Sequence, residues 1–139
     1  MTGFLIKTSY NDTLRFQLYL DGAPLTCEAF LSSLPFSGGF IHPGLLRKEI
    51  WTSWGPQVNI LPENAFALME PGEIAIGFLT PHDKTNSKRI RICYEEAKQI
   101  NRCNVFGKVF EEDLHLLKVL GQTIWRYGQL NLSFEIAFS

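Results

Sequence analysis

The sequence predicts a mainly β protein, a closed antiparallel β-barrel of about eight short strands with two α-helices that cap its open ends. Three observations support this fold class. Short segments alternate apolar and polar residues with a period of two, apolar stripes of helical spacing occur only twice, and no β-α-β rhythm is present. Because side chains fill the interior of an eight-stranded barrel, we expect any binding site outside the barrel or at its rim.

The first strands and the first helix follow from local patterns. Phe4–Thr8 and Thr13–Leu20 are predicted to pair as a hairpin, since the second segment alternates cleanly. A helix is predicted from Pro24, which suits a first helical turn, and Pro35 ends it. The apolar stripe of this helix consists of Cys27, Phe30, Leu31 and Leu34. The glycine-containing segment Phe36–Leu46 is predicted to be a loop.

The rest of the chain is predicted to consist mainly of strands. These strands are Arg47–Trp54, Gln57–Leu61, Phe66–Met69, Glu73–Leu79, Ser87–Glu95, Asn104–Phe110 and Leu130–Phe138. The segment Glu95–Arg102 suits either a helical turn or a loop. Acidic residues before Leu114–Leu120 and a glycine after it predict a second helix that ends at Gly121. The segment Gln122–Gly128, which contains Trp125 and Arg126, is predicted to be a loop or an edge.

Length and composition restrict the class of protein. The 139 residues are predicted to form a single domain over 1–139, and the formal net charge is −1. This charge argues against a nucleic-acid partner, which would require a basic surface. No apolar run approaches about 20 residues, and the N-terminus lacks the features of a secretory signal, so we expect no membrane partner.

Cysteine and histidine positions predict neither disulfides nor a metal site. The three cysteines are an odd number without close spacing, which favours free thiols and a cytoplasmic location. The three histidines, His42, His82 and His115, are scattered along the chain, whereas a zinc site needs clustered ligands. We therefore expect no metal and no cofactor.

Three segments resemble the cyclophilins in the correct order. Ala23–Phe30 is similar to their first helix, Phe66 followed by Pro71–Ile76 to a glycine-proline strand, and Val105–Val109 with the helix after it to their Val-Phe-Gly-Lys-Val strand and second helix. The chain is shorter than a typical cyclophilin. It is closer to a bacterial group of small cyclophilin-like proteins of uncharacterised function, which share the turn Pro62-Glu63-Asn64. The resemblance implies a cyclophilin-like barrel.

The cyclophilin residues that catalyse proline isomerisation are not matched. No arginine follows Phe40 at the step where these isomerases carry their key catalytic arginine. The segment Lys88–Ile92 stands where they have a strand whose Gln and Phe line the proline pocket. In this alignment, Arg89 replaces the Gln and Arg91 replaces the Phe. A cleft with two guanidinium groups suits a carboxylate better than a proline ring.

Two neighbouring strands supply the main candidate ligand-binding residues. Arg89 and Arg91 share one face of their strand, which is either ordinary solvated surface or the floor of an anion site. Glu49 and Trp51 share a face of the predicted strand Arg47–Trp54. Trp51 could stack on a ligand, and Glu49 could hold an amine or an arginine. The alternatives are one surface acid and one partly buried aromatic residue.

Two further segments supply weaker candidates. His42 lies beside a proline in a glycine-rich segment, where a binding role and a structural role both remain open. Trp125 and Arg126 could cover the same cleft from a late loop.

These residues support three functional hypotheses. The first is a protein that binds a small anionic, carboxylate-bearing molecule in the cleft beside the barrel. The second is a peptidyl-prolyl cis-trans isomerase with a divergent active site, which would bind a short peptide and use Arg47 or Arg89 as its cation. The third is an oligomeric enzyme whose site is shared between subunits, since exposed tryptophans and edge strands favour a homo-oligomer. Whether the protein is an enzyme stays open.

Overall fold

The computed structural model describes residues 2–44, 48–52, 61–77 and 89–137, with the backbone alone at 67 and 97–102. Within these residues the chain forms nine strands, two α-helices and one 3-10 turn. The strands are β1 Gly3–Lys7, β2 Thr13–Leu18, β3 Phe36–Ile41, β4 Glu49–Thr52, β5 Ala65–Met69, β6 Glu73–Gly77, β7 Arg89–Cys93, β8 Ala97–Val109 and β9 Gln129–Ala137. The helices are α1 Pro24–Ser32 and α2 Leu114–Tyr127, and the 3-10 turn Glu111–Asp113 directly precedes α2.

Eight of these strands form a closed barrel. Neighbouring strands follow the order β2-β1-β9-β3-β4-β7-β6-β8, and the ring closes because β8 also pairs with β2. The described pairs are antiparallel. The ninth strand, β5, pairs with the N-terminal part of the long strand β8, outside the ring. This arrangement confirms the predicted fold class.

Aromatic rings fill the barrel. Phe4, Phe16, Phe30, Phe106 and Phe134 are each at most 1% exposed. The ring centroids of Phe4 and Phe16 lie 4.8 Å apart, and those of Phe30 and Phe106 lie 4.7 Å apart. This packing agrees with the expectation that any site lies outside the barrel.

Helix α1 begins at a proline and is capped by a distant carboxylate. The side chain of Glu63 accepts hydrogen bonds from the backbone N–H groups of Leu25 and Thr26, at 3.1 and 2.8 Å. It thereby satisfies two of the N–H groups that a helix N-terminus leaves without partners. Cys27 and Phe30 on the inner stripe of the helix are fully buried.

Helix α2 is longer than predicted. The prediction ended it at Gly121, whereas the helix continues to its C-terminal cap at Gly128, where φ is 90°. Gly121 is instead required by packing, because a Cβ atom there would lie 2.3 Å from a ring carbon of Tyr94. Trp125 and Arg126 therefore lie in the last turns of a helix, and the prediction of a loop for them is wrong.

Two further boundaries differ from the prediction. The expected loop after α1 contains strand β3, in which Gly38 pairs with Leu132 and Gly39 with Asn131 of β9. This pairing outweighs the local turn preference of the glycines. The segment Glu95–Arg102, predicted as a helical turn or a loop, belongs to β8 from Ala97 onward.

Several predictions lie outside the described residues. They concern Arg47, Trp54, most of the predicted strand Gln57–Leu61, residues 78–88 and Phe138. Within the described residues, no helix is both long and apolar enough to cross a membrane.

Candidate functional site

Strands β4 and β7 place four of the predicted site residues on the outer face of the barrel. Ile50 of β4 pairs with Ile92 of β7, and both are buried in the interior. Because successive side chains of a strand point to opposite faces, Glu49, Trp51 and Arg91 point outward. Trp51 pairs directly with Arg91, and Glu49 pairs with Cys93 at the end of β7. We call Glu49, Trp51, Arg89 and Arg91 the arginine cluster.

Two of the four residues of the arginine cluster are buried, although they lie on the outer face of the barrel. Glu49 is 0% exposed and Arg91 is 3% exposed, while Trp51 and Arg89 are half-buried. An apolar cluster from β5, β6, β7 and β8 shares this face; it contains Met69, Ala75, Cys93, Cys103 and Val105. The alternative of an ordinary solvated strand face is therefore wrong for Arg91.

The charged groups of the cluster lie close together. Nη1 of Arg91 is 3.7 Å from Oε1 of Glu49, an ion pair longer than a hydrogen bond. The guanidinium carbons of Arg89 and Arg91 each lie 4.8 Å from the centroid of the Trp51 ring. These are cation–π distances, and such contacts are stronger in a desolvated site. The tryptophan thus orients both arginines.

Three buried N–H donors of the cluster have no hydrogen-bond acceptor among the described residues. They belong to Nε1 of Trp51 and to Nε and Nη1 of Arg91. A buried donor without an acceptor costs about 1–3 kcal/mol, and more when the group is charged. The arrangement therefore presents several donors to any acceptor that enters.

The thiols beside the cluster are not activated. Burial raises the pKa of Cys93 to about 12 and that of Cys103 to about 11. The Cys93 thiol also donates a hydrogen bond to the carbonyl oxygen of Glu70 at 2.6 Å. Both side chains remain protonated at neutral pH, which argues against a nucleophilic cysteine.

His42 and Trp125 form a second group, away from the arginine cluster. Nε2 of His42 is 2.6 Å from the hydroxyl oxygen of Tyr94, a buried residue directly after β7. The His42 and Trp125 rings meet edge to face with centroids 5.3 Å apart. A cavity of about 60 Å³ lies among these three side chains, Lys48 and Gln122. Burial, followed by the positive charge of Lys48, lowers the pKa of His42.

The predicted residues are thus divided between two places. The arginine cluster lies on the outer side of β7, and the His42 group lies on the inner side, against α2. Arg126 is exposed in the last turn of α2. The sequence analysis did not identify Tyr94 as a site residue, because its place in the alternating pattern indicates only a core position and its hydroxyl partner is distant in sequence.

The described residues contain no group of three or more His, Cys, Asp or Glu side chains that could hold a metal ion.

A larger concavity lies along β1, β2 and β9. Its volume is about 440 Å³, and it is lined by Gly3, Leu5, Arg15, Phe16, Phe110, Glu135, Ile136 and Ala137. The charged groups in it already have partners. Arg15 donates to Asp113 at 2.9 Å, and Glu135 pairs with Lys7 at 2.8 Å. The arginine cluster therefore has the stronger chemical argument for a site.

The closed barrel and its two helices together form a cyclophilin-like fold. The fold is similar to the crystal structure of a Cryptosporidium parvum cyclophilin type peptidyl-prolyl cis-trans isomerase in the presence of the dipeptide Ala-Pro, with a TM-score of 0.62 and 19% identity over 99% of each chain. The solution structure of the hypothetical protein AF2241 from Archaeoglobus fulgidus gives a TM-score of 0.64 and 18% identity, covering 98% of this chain and 95% of that one.

Residues 7–136 match the family described as "Protein of unknown function (DUF3830)", and the chain belongs to this family. The cyclophilin-like resemblance is therefore confirmed, within a family of uncharacterised function. The structure of McbB in complex with tryptophan is also similar, with a TM-score of 0.71 and 14% identity. The match covers 95% of this chain but 44% of McbB, so the chain spans less than half of McbB's length. At these identities the similar structures show the fold alone, and no curated protein sequence matches the chain.

Proposed function

We propose that this protein binds a small carboxylate-bearing molecule at the arginine cluster. The observation that carries the proposal is the set of buried donors without acceptors on Arg91 and Trp51. A carboxylate would accept hydrogen bonds from them, and guanidinium groups pair with carboxylates through two parallel bonds. Burial strengthens these bonds, because the local dielectric is lower than that of water.

The similar structures support a ligand of this kind. McbB is in complex with tryptophan, and the cyclophilin type isomerase was crystallised in the presence of Ala-Pro. Both molecules carry a carboxylate. L-Tryptophan and Ala-Pro are therefore the first probes to use with this chain.

Isothermal titration calorimetry with Arg91 variants tests the proposal. We expect a carboxylate among L-tryptophan, Ala-Pro and a set of aromatic acids to bind the native protein, and Arg91→Gln to weaken that binding by about 10- to 100-fold, the loss of a charged hydrogen-bonded pair. Arg91→Lys keeps the charge without the two-pronged geometry and should weaken binding less. Lys118→Gln removes the same charge from an exposed position on α2 and is the matched control.

Circular dichroism establishes that each variant is folded before it is titrated. Absence of binding by every carboxylate, or equal weakening in Arg91→Gln and Lys118→Gln, would contradict the proposal.

Proline isomerase activity is the alternative, and the fold similarity over 99% of the isomerase chain makes a direct test worthwhile. We expect a protease-coupled isomerisation assay to give the uncatalysed rate. The reason is that no arginine follows Phe40 at the step where the isomerases carry their key catalytic arginine. A clear acceleration that disappears in Arg89→Gln would favour the isomerase instead.

A further inference from the structure

We infer that a cavity between α2 and the barrel is a second binding site, where the hydroxyl of Tyr94 and the ammonium of Lys48 receive the carboxylate of a small aliphatic acid. The cavity has a volume of about 60 Å³ and is lined by His42, Lys48, Tyr94, Gln122 and Trp125. These residues lie directly after β3, directly before β4, directly after β7 and on α2. None of them belongs to the arginine cluster, so the inference is independent of the proposed function.

The hydrogen bonds of His42 assign the proton positions in this site. The backbone N–H of Gly44 donates to Nδ1 of His42 at 3.4 Å, so Nδ1 is the acceptor nitrogen of a neutral ring. Nε2 then carries the proton and donates to the hydroxyl oxygen of Tyr94, 2.6 Å away. Burial lowers the pKa of His42 and raises the pKa of Tyr94, which agrees with two neutral groups near neutral pH.

The hydroxyl hydrogen of Tyr94 has no acceptor among the described residues. Tyr94 is 3% exposed, and the described part of the chain gives its hydroxyl one hydrogen bond, the one from His42. A buried donor without an acceptor is costly. Because Tyr94 lines the cavity, an oxygen atom that enters there can accept this hydrogen. The bond that the hydroxyl accepts from His42 strengthens its own donation.

Charge and volume indicate a small anion as the ligand. Lys48 is exposed, and no described carboxylate forms an ion pair with it. After burial, the charge of exposed Glu95 also raises the pKa of Tyr94, but Glu95 does not line the cavity. A volume of about 60 Å³ is roughly that of two waters, whereas benzene occupies a cavity of about 150 Å³. The cavity therefore suits a carboxylate with a short aliphatic chain rather than an aromatic ring.

Helix α2 supplies a reporter for this site. The Trp125 ring meets the His42 ring edge to face with centroids 5.3 Å apart, and Trp125 is 45% exposed. Gln122, one turn earlier on the same helix, lines the cavity with a side-chain amide that can donate to the second carboxylate oxygen. A bound carboxylate therefore changes the surroundings of the Trp125 indole.

A titration with acetate, followed by nuclear magnetic resonance of the indole N–H groups, tests the inference near neutral pH and at constant ionic strength. The reporter is the signal of Trp125, which is assigned by its loss in Trp125→Phe. We expect acetate to shift this signal saturably. Acetamide has the same shape without the charge, and we expect it to bind about 10-fold more weakly, because a charged acceptor forms a stronger hydrogen bond and attracts the ammonium group.

Variants of the two side chains that receive the carboxylate locate it. Tyr94→Phe keeps the packed ring and should weaken acetate binding about 10-fold, the loss of a hydrogen bond to a charged acceptor. Lys48→Gln should weaken it about two- to fivefold, as expected of an exposed ion pair, and should reduce the preference for acetate over acetamide. Lys7→Gln removes an exposed lysine of β1 and is the control that should leave acetate binding unchanged.

The outcomes separate this inference from the proposed function. If acetate shifts other indole signals but not that of Trp125, it binds elsewhere and the inference is overturned, although a carboxylate site at the arginine cluster stands. Equal binding of acetate and acetamide, or unchanged acetate binding by a folded Tyr94→Phe, also overturns it. If Tyr94→Phe does not fold, Lys48→Gln decides, and weakening no larger than that in Lys7→Gln overturns the inference.

Discussion

Removing one member of the Glu49–Arg91 pair should destabilise the barrel far more than removing both. The side chains are 0% and 4% exposed, and their charged atoms are 3.7 Å apart. At an effective dielectric of about 20 this distance corresponds to about 4 kcal/mol of attraction, from which the desolvation of both charges is subtracted. Glu49→Met or Arg91→Met leaves the other charge buried without this counter-ion, which typically costs about 3–5 kcal/mol.

Urea unfolding at pH 7 measures these costs in a double-mutant cycle. With a slope of about 2 kcal/mol per molar urea, each single variant should lower the unfolding midpoint by about 1.5–2.5 M. The variant with both methionines should return to near the native midpoint, because apolar side chains of similar volume often replace a buried ion pair without loss. Two single losses of about 3–5 kcal/mol and a double loss near zero correspond to a coupling energy of about 6–10 kcal/mol.

A surface pair on the same barrel is the control for this cycle. Lys7 and Glu135 are 2.8 Å apart, closer than the buried pair, but their side chains are 49% and 43% exposed. Their coupling energy should be about 0.2–1 kcal/mol. Equal coupling in the two cycles, or additive effects of the methionines at Glu49 and Arg91, would refute the argument that burial makes this pair costly to break.

Three further predictions concern the rest of the fold. Gly121→Ala should lower the melting temperature, because the new Cβ would meet the Tyr94 ring at 2.3 Å and overpacking costs about 1–3 kcal/mol, more than the roughly 1 kcal/mol gained in helix propensity; an unchanged or higher melting temperature would contradict this. The pKa of Asp113 is lowered from 3.8, mainly by its hydrogen bond with the guanidinium of Arg15 on β2. The ionised carboxylate therefore stabilises the folded state above about pH 4, and this stabilisation is lost as the pH falls through the folded pKa. In urea unfolding below pH 4, Asp113→Asn should lose stability less steeply with falling pH than the native protein. The pKa of His42 is lowered from 6.5, mainly by burial, so the fluorescence of the adjacent Trp125 should titrate with a midpoint below pH 6.5 and should lose this transition in His42→Gln.

Strand alternation predicted correctly which side chains share a face, but it could not predict how deeply that face is buried. It placed Ile90 and Ile92 toward the interior and Arg89 and Arg91 on the opposite side, as the structure has them. The burial of Arg91 depends on neighbours from β4, β6 and the strands around them, which are distant in sequence. A period of two contains no information about such contacts.

Glycines misled the prediction where tertiary packing decides their position. Gly38 and Gly39 have the composition of a loop, yet backbone pairing with β9 holds them in a strand. Gly121 has the position of a helix cap, yet it lies within α2 because only a residue without Cβ leaves room for Tyr94. In both cases the partner is remote in sequence, and a local propensity is a weak guide against it.

The location of the Glu49–Arg91 pair fits the proposed binding role better than a stabilising role. In each of the other described ion pairs at least one side chain is 47% exposed or more, so these pairs avoid most of the desolvation cost. Arg91 is buried, its ion pair exceeds hydrogen-bond length, and two of its nitrogens have no hydrogen-bond acceptor among the described residues. An apolar pair at these positions would stabilise the barrel at least as well. A ligand carboxylate that accepts hydrogen bonds from these nitrogens would offset the desolvation cost of Arg91. The described residues of the barrel offer these nitrogens no such acceptor.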